Sequence, residues 1–344
     1  MEIILGFVIV IISGMLTGTF MWPMKKISKL QFEHYWFLGS FFGLFLLPWL
    51  MVLVFVPRPF TAYAQVGEAL LIGNLLSLGW GIANVLYGLC IVKIGAALAG
   101  AILTSFGLSV GVLMPLIFKG SGLFENAPDI FSRPGYFILA GVLVILVGVF
   151  TLAKAGFARE KSLQLSQPAI KLQGTFLSGL VMAIIAGILS SCISLSFVYS
   201  QAPVIAALKA QGASEFIANI GVWAGALFAG IVVNIIYPAV IMTRKRNWLH
   251  LFSSRHDFLL APIIGAQLIL GAVLLGKGMI ILGALGASVG FGIMQAMQII
   301  GNQTVGFASG EWRGVDIKAR NLMYLALFII MIAIIIFSYA NTLM

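Results

Sequence analysis

The residues in this 344-residue chain with the clearest chemical potential are amides, hydroxyls and aromatics inside one apolar segment. Asn74, Ser77, Trp80, Asn84 and Tyr87 recur at three- and four-residue steps, which places them on one face of a helix. Carboxamides donate and accept hydrogen bonds together, as a hydroxyl does, and aromatic faces cover apolar C–H surfaces. This face therefore favours a neutral polyol over an amino acid or a phosphorylated ligand, which would need a countercharge.

Other apolar segments carry side chains of the same kind. They are Gln295, Gln298 and Asn302 with Gln303 beside them, Ser190, Ser191, Ser194 and Tyr199, Asn219 and Trp223, and Gln267. An uncompensated polar group in hydrocarbon costs free energy, so these residues are expected to face a cavity or another helix. The candidate substrate-binding residues are Trp80, Asn84, Tyr87, Gln295, Gln298, Asn302, Trp223, Tyr199 and Gln267. The alternative is that these amides only bond one helix to another.

The ten acidic residues avoid the middle of the apolar segments. Glu68 and Glu215 stand at one set of ends, and Glu33, Asp257 and Glu311 stand at the opposite ends. Solvation at a helix end explains each of them. If the protein couples to protons, however, the carrier comes from these residues or from Lys93 and Lys277, because a desolvated carboxylate can have a raised pKa. The proton-coupling candidates are Glu68, Glu215, Glu33 and Lys93.

Long apolar segments position these side chains. Hydrophobic residues make up 61% of the chain and charged residues 9%. The charges cluster between apolar runs of about 20 residues, the length that a helix needs to cross a bilayer. We therefore expect an all-α polytopic membrane protein with ten transmembrane helices. The predicted spans are residues 3–24, 34–56, 67–92, 95–118, 135–154, 172–200, 215–242, 257–277, 281–305 and 320–342.

The distribution of basic residues predicts the orientation. Ten spans put 15 of the 20 Lys and Arg residues on one face of the membrane and five on the other. The richer face is cytoplasmic by the positive-inside rule, so both termini lie on the outer side. The net charge of +10 is then a topology signal and not a sign of nucleic-acid binding, although contact with anionic lipids follows from it.

The basic stretch from Lys154 to Lys171 divides the chain near its middle, with five predicted spans on each side. Weak echoes link the halves, such as Gly-Met-Leu-Thr at 14–17 and Gly-Ile-Leu-Ser at 187–190. Because five is an odd number, the second copy must insert upside down. We expect two inverted five-helix repeats, residues 1–156 and 172–344, joined by a cytoplasmic linker at 157–171. This architecture is usual for secondary transporters, whose substrate site lies near the midplane.

Residues 80–89, Trp-Gly-Ile-Ala-Asn-Val-Leu-Tyr-Gly-Leu, resemble the Trp-Gly-x-x-Asn-x-x-Tyr-Gly-Leu segment of the bacterial L-rhamnose–proton symporter family, part of the drug/metabolite transporter superfamily. Pro23 before Lys25-Lys26, Pro48-Trp49 and Glu311-Trp312 are collinear matches. The resemblance implies ten helices in two inverted repeats in the bacterial inner membrane, and uptake of a deoxy sugar driven by a cation gradient, with the proton as the expected ion. Family members carry an aromatic-rich eighth span, whereas residues 267–277 contain no aromatic residue, which leaves the identity of the sugar open.

Three alternatives stay open at this point. A transporter of the same fold could carry another metabolite, a nucleoside or a drug, in either direction. A membrane-embedded enzyme is disfavoured, because the sequence has no zinc-type His cluster, no paired acids within a span and no nucleophile elbow. A sensor would ordinarily add a soluble output domain, for which the short loops leave no room. We expect no cofactor and no metal, and Cys90 and Cys192 do not form a disulfide framework.

Overall fold

The chain forms helices packed side by side, since a backbone in lipid must satisfy its hydrogen bonds within each element. The structure, a computed structural model, describes residues 2–94, 96–117, 129–166, 176–283 and 289–343, and no strand occurs among them. The α-helices are α1 (Glu2–Thr19), α2 (Phe32–Leu38), α3 (Leu47–Phe55), α4 (Pro59–Gln65), α5 (Gly67–Ile94), α6 (Ala96–Ile117), α7 (Arg133–Ser166), α8 (Phe176–Ser190), α9 (Cys192–Ala210), α10 (Glu215–Ala226), α11 (Phe228–Lys245), α12 (Arg255–Leu282), α13 (Phe291–Ala308) and α14 (Ile317–Thr342). A π-helical segment, Gly39–Leu46, joins α2 to α3.

Eight helical segments in the described part of the chain are long and apolar enough to cross a membrane. They are Glu2–Lys25, Phe32–Phe55, Gly67–Ile91, Arg133–Arg159, Ser178–Ala210, Phe228–Lys245, Arg255–Leu282 and Ile317–Ala340. The predicted fourth and ninth spans, α6 and α13, are not among the eight. Helix α13 carries four carboxamides, which lower its mean hydropathy. The chain is a polytopic helical membrane protein, and the count of ten spans stays a prediction.

Two predicted boundaries differ from the structure. Helix α7 continues to Ser166, so the first ten residues of the expected linker at 157–171 are helical, and residues 167–171 lie outside the described ranges. The expected break between the eighth and ninth spans at Lys277 is wrong, since α12 runs on to Leu282. Lys277 is exposed and can extend its ammonium without interrupting the helix. The helix stops where Gly283 takes a positive φ of 65°, a conformation that favours glycine.

The predicted sixth and seventh spans are each two helices in succession. Helices α8 and α9 meet at Ser191, and α10 and α11 meet at Leu227, whose φ and ψ are −102° and 7°. Asn74 on α5 lies across the second break. Its Nδ2 donates to Gly225 O and its Oδ1 accepts from Ala229 N, both at 2.8 Å. This side chain replaces the backbone hydrogen bonds that a continuous helix would have made.

The helices pack in pairs around a centre. Helices α7 and α14 pack along each other at the edge of the bundle. Helix α1 packs on α12 and α13, and the α8–α9 segment packs on α5 and α6. The π segment packs on α12, and α11 packs on α5. Lys25, Arg159 and Lys245 lie at one end of the bundle, which we call the basic end.

Glycines allow the closest of these contacts. Gly43 and Gly265 face each other where the π segment crosses α12, and a Cβ on Gly43 would lie 2.5 Å from Gly265 Cα. Gly18 on α1 and Gly301 on α13 approach in the same way, with a distance of 2.9 Å between an added Cβ and the facing Cα. Small residues of this kind bring membrane helices into backbone contact. Both contacts lie beside the central cavity described next.

Candidate binding cavity

A cavity of about 110 Å³ lies at the centre of the bundle. This is several times the roughly 10–15 Å³ that one water molecule needs, so the cavity can hold a small solute. Its lining comes from helices of both halves of the chain, whereas α7 and α14 contribute no residue. The polar lining residues are Thr17, Ser40, Asn84, Tyr87, Ser190, Gln295 and Gln298, and the aromatic ones include Phe20, Trp36, Trp80, Phe197, Trp223 and Phe291.

Helix α5 brings the predicted Trp80, Asn84 and Tyr87 to this cavity together. The other two members of the same helical face have different roles. Asn74 spans the break between α10 and α11, and Ser77 Oγ accepts a hydrogen bond of 3.0 Å from Gly230 N on α11. The predicted polar face is therefore continuous, but one half of it joins helices and the other half lines the cavity.

Helix α13 faces Asn84 and Tyr87 with a second polar row. Gln295 and Gln298 line the cavity. Asn302 lies one turn nearer the basic end and does not line it. Its side chain is 8% exposed, and its Nδ2 has no hydrogen-bond partner among the described residues. Asn302 Nδ2 and Tyr87 Oη each lie 3.1 Å from where a Cβ of Gly100 would stand, so Asn302 adjoins the cavity floor behind Tyr87.

Aromatic rings form one wall. Trp80 and Trp223 meet edge to face with ring centroids 5.7 Å apart, and Phe197 meets Trp223 at 5.6 Å. Trp36 is fixed by its Nε1, which donates to Asn234 Oδ1 at 3.1 Å. Locked rings of this kind present apolar faces of defined orientation to a ligand. The wall from α12 is aliphatic instead, with Ile264, Leu268, Ala272 and Leu275.

No charged side chain lines the cavity within the described part of the protein. The carboxamides of Asn84, Gln295 and Gln298 line the cavity and form no hydrogen bond with any other described residue. Buried polar groups in folded proteins are nearly always paired. Three donor–acceptor groups without a protein partner, in a chamber without charge, are suited to a neutral ligand that carries several hydroxyls.

Two predicted binding residues lie elsewhere. Gln267 joins α12 to α1, since its Nε2 donates to Leu16 O at 3.0 Å and to Thr19 Oγ1 at 2.8 Å, and its Oε1 accepts from Trp22 Nε1 at 2.9 Å. Tyr199 packs at the edge of an apolar cluster of α13 and α14. Neither residue lines the cavity. Residue type indicates a polar contact for each of them but does not indicate which helical face it occupies, and neither face borders the cavity.

The second span also lines the cavity, which was not predicted from the sequence. Trp36 and Ser40 line the cavity from α2 and the π segment, together with Gly39. The aromatic, small and hydroxyl residues at positions 36, 39 and 40 repeat the pattern of α5, and this spacing was the available signal. Phe20 and Thr17 on α1 gave no comparable signal, because a single threonine in an apolar helix commonly bonds its own backbone.

The four proton-coupling candidates do not line the cavity. Glu68 and Glu215 are exposed at the end of the bundle opposite the basic end. Glu33 is buried at the basic end, where its Oε1 accepts from Lys245 Nζ at 2.8 Å. Lys93 donates to Ser178 Oγ at 3.2 Å.

A different carboxylate, Glu311, lies at the basic end below Tyr87. Its Oε1 lies 2.5 Å from Lys25 Nζ, and its Oε2 lies 2.9 Å from an Arg159 guanidinium nitrogen. Burial raises the pKa of Glu311, but the hydrogen bond and charge of Lys25 and the charge of Arg159 outweigh burial and hold the pKa below its ordinary value.

A multi-pass helical bundle around an uncharged central chamber defines a membrane protein of the solute-carrying class. The family model described as L-rhamnose-proton symport protein matches residues 1–280, so the chain belongs to this family. The L-rhamnose-proton symporter of Klebsiella pneumoniae subsp. pneumoniae is 28% identical over 254 residues, which cover 73% of this chain and 70% of that protein. The symporters of Escherichia coli strains 55989 and O8 IAI1 match with the same identity and coverage. These relatives are named as transport proteins, and this chain is a transport protein and not an enzyme.

Proposed function

We propose that the protein imports L-rhamnose, or a closely related small sugar, across the bacterial inner membrane together with a proton. The relatives named above supply the activity and the substrate class. The observation that carries the proposal to this chain is the cavity, with its three unpartnered carboxamides and no charge. Asn84 would bind the sugar from one side, and Gln295 and Gln298 from the other.

Sugar recognition by this cavity follows from its two kinds of lining. Each carboxamide can donate to one hydroxyl and accept from a neighbouring one. The rings of Trp80 and Trp223 offer apolar faces to the C–H surface of the sugar ring. The aliphatic wall of α12 suits a methyl group, which a 6-deoxy sugar carries where a hexose carries a hydroxymethyl group. A hexose would bury an additional hydroxyl against Leu268 and Leu275 without a partner, at a cost in affinity.

Alternating access through two inverted repeats is the mechanism that we propose. In support, several of the main helix contacts have a counterpart when each predicted span is exchanged with the span five places along the chain. The contacts of α1 with α12 and α13 correspond to those of the α8–α9 segment with α5 and α6. The contact of the π segment with α12 corresponds to that of α11 with α5. Rocking of one repeat on the other would expose the cavity to each side of the membrane in turn.

The orientation rests on charge. The basic end would face the cytoplasm, and both termini would lie outside, because short loops rich in Lys and Arg are retained on the cytoplasmic side. With this orientation Glu311 and Glu33 lie on the cytoplasmic side of the cavity, and Glu68 and Glu215 lie on the outer side.

The test is uptake of radiolabelled L-rhamnose into proteoliposomes under an imposed inward proton gradient, an inward sodium gradient or neither. We expect accumulation only with the proton gradient, and competition by other 6-deoxy sugars before nucleosides or amphiphilic cations. Thr304→Ala on α13 should leave this uptake unchanged, because Thr304 is exposed and its hydroxyl bonds only Ile300 O of its own helix. If uptake is the same with a proton gradient, with a sodium gradient and with neither, symport is contradicted and the activity is facilitated diffusion.

A further inference from the structure

Glu311 joins three parts of the molecule at the basic end. Its two carboxylate oxygens bind different cations, with Lys25 following α1 and Arg159 lying on α7. The Arg159 side chain is only 9% exposed, and its guanidinium lies 5.6 Å from the ring centre of Trp312. The carboxylate therefore links the two halves of the chain through two ion pairs, of which the Arg159 pair is largely withdrawn from water and the Lys25 pair has a lysine that is 36% exposed.

Glu311 also lies next to the cavity floor. Its Oε2 lies 3.5 Å from where a Cβ of Gly306 would stand, one helical turn from Asn302 on α13. The unpartnered, buried Nδ2 of Asn302 and the Oη of Tyr87 both adjoin Gly100, and Tyr87 lines the cavity and donates to Met21 Sδ at 3.3 Å. Among the described residues, the charged groups paired with Glu311 are Lys25 and Arg159, and the titratable side chain of the cavity lining is Tyr87. Helix α13 and the following loop present the uncharged Gly306 and Trp312.

The two buried carboxylates in the described residues are held differently from Glu311, which is half-buried. Asp257 Oδ2 accepts hydrogen bonds from three successive backbone amides, those of Ser28, Lys29 and Leu30, which fix a loop and need a permanent charge. Glu33 binds Lys245, which is 53% exposed, and Asn247. Neither carboxylate pairs with two permanently charged cations among the described residues, as Glu311 does.

We propose that Glu311 carries the coupling proton, and that its two ion pairs are the lock that protonation releases at the basic end. The inference rests on the proposed sugar–proton symport. With both ion pairs intact the pKa of Glu311 lies below its ordinary value, so the carboxylate takes a proton only after sugar in the cavity has loosened the pairs. The proton would then arrive from the outer solution through the cavity, past Tyr87 and Asn302, and convert the carboxylate to the neutral acid. The acid loses its attraction for both cations, so the basic end can open. The proton then leaves to the cytoplasm, and the restored carboxylate rebinds Lys25 and Arg159.

The direction of coupling follows from linkage. The conformation with both ion pairs intact favours the carboxylate, so a bound proton must favour the conformation in which the pairs are broken. Deprotonation on the cytoplasmic side closes the lock again. An empty carrier would therefore return only in the deprotonated form, which is what proton-driven accumulation requires.

The test compares Glu311→Gln with Glu33→Gln, a matched change of another lysine-paired carboxylate at the same end. Both variants are reconstituted into proteoliposomes with labelled L-rhamnose. A gradient of one pH unit supports roughly tenfold accumulation at one proton per sugar. We expect wild type and Glu33→Gln to accumulate sugar, and Glu311→Gln only to equilibrate it. In counterflow, where no net proton movement is needed, Glu311→Gln should retain exchange.

Each outcome decides a different point. Proton-driven accumulation by Glu311→Gln would overturn the assignment of Glu311, whereas its absence in wild type would overturn the proposed symport itself. Loss of accumulation in Glu33→Gln as well as in Glu311→Gln would also contradict the assignment. If Glu311→Gln is not recovered folded, Glu311→Asp replaces it. This variant keeps a titratable group, so we expect accumulation with a shifted pH profile, and an unshifted profile would count against the proposal.

Discussion

Asn84 and Asn74 lie ten residues apart on α5, and their replacement by alanine should have opposite effects. Asn84 has no protein partner in the described residues and lines the cavity, so Asn84→Ala should leave stability unchanged. If its carboxamide makes two hydrogen bonds to the sugar, the loss is about 1–3 kcal/mol, or a roughly 5- to 150-fold rise in the half-saturation concentration. Uptake at low sugar concentration should then fall by the same factor.

Asn74→Ala should instead lower stability and leave the half-saturation concentration unchanged. Removal of this carboxamide leaves Gly225 O and Ala229 N without their partner at the helix break, at a cost of about 1–3 kcal/mol for each group. The assay is thermal unfolding in detergent together with uptake kinetics for both variants. A large loss of stability in Asn84→Ala, or a half-saturation concentration equal to that of wild type, would refute the reasoning.

Three further outcomes are expected. Gly265→Ala should destabilise the protein by about 1–3 kcal/mol, because its Cβ would overlap Gly39 O and lie 2.9 Å from Gly43 Cα; Gly67→Ala, which meets nothing within 4 Å, is the control in the same melting assay. Gln267→Leu should lower the melting temperature without changing the half-saturation concentration, and a changed sugar affinity would return Gln267 to the site. The pKa of Glu311 is lowered in the folded protein, so its ion pairs stabilise the protein above the ordinary pKa of 4.5, and this contribution is lost as the pH falls through the lowered value. The difference in melting temperature between wild type and Glu311→Gln should narrow on acidification, and a constant difference would contradict this.

The helical class and most of the spans could be predicted from the sequence, since the length and polarity of a segment are local properties. The breaks at Ser191 and Leu227 could not. The break at Leu227 is compensated by Asn74 from another helix, and a local pattern does not contain that partner. The break expected at Lys277 is wrong for a related reason, because an exposed lysine within a helix and a lysine in a loop are indistinguishable by residue type.

The candidate site was predicted best where residues form a periodic face. Trp80, Asn84 and Tyr87 on α5 line the cavity with Gln295 and Gln298 on α13, because helical spacing fixes the face of each residue. Spacing does not fix depth along the helix or the element opposite. For this reason Ser77 and Asn74, on the same face, bond to α11. Gln267, without a periodic companion, could not be assigned to either role from its type.

The central claim is that sugar enters with a proton through an uncharged cavity. Its most direct test is the pH of a lightly buffered suspension of de-energised vesicles on addition of L-rhamnose. At a low sugar concentration, the account predicts a transient alkalinisation of the medium with wild-type protein and a slower one, by the factor given above, with Asn84→Ala. Entry of labelled sugar without any alkalinisation would contradict it.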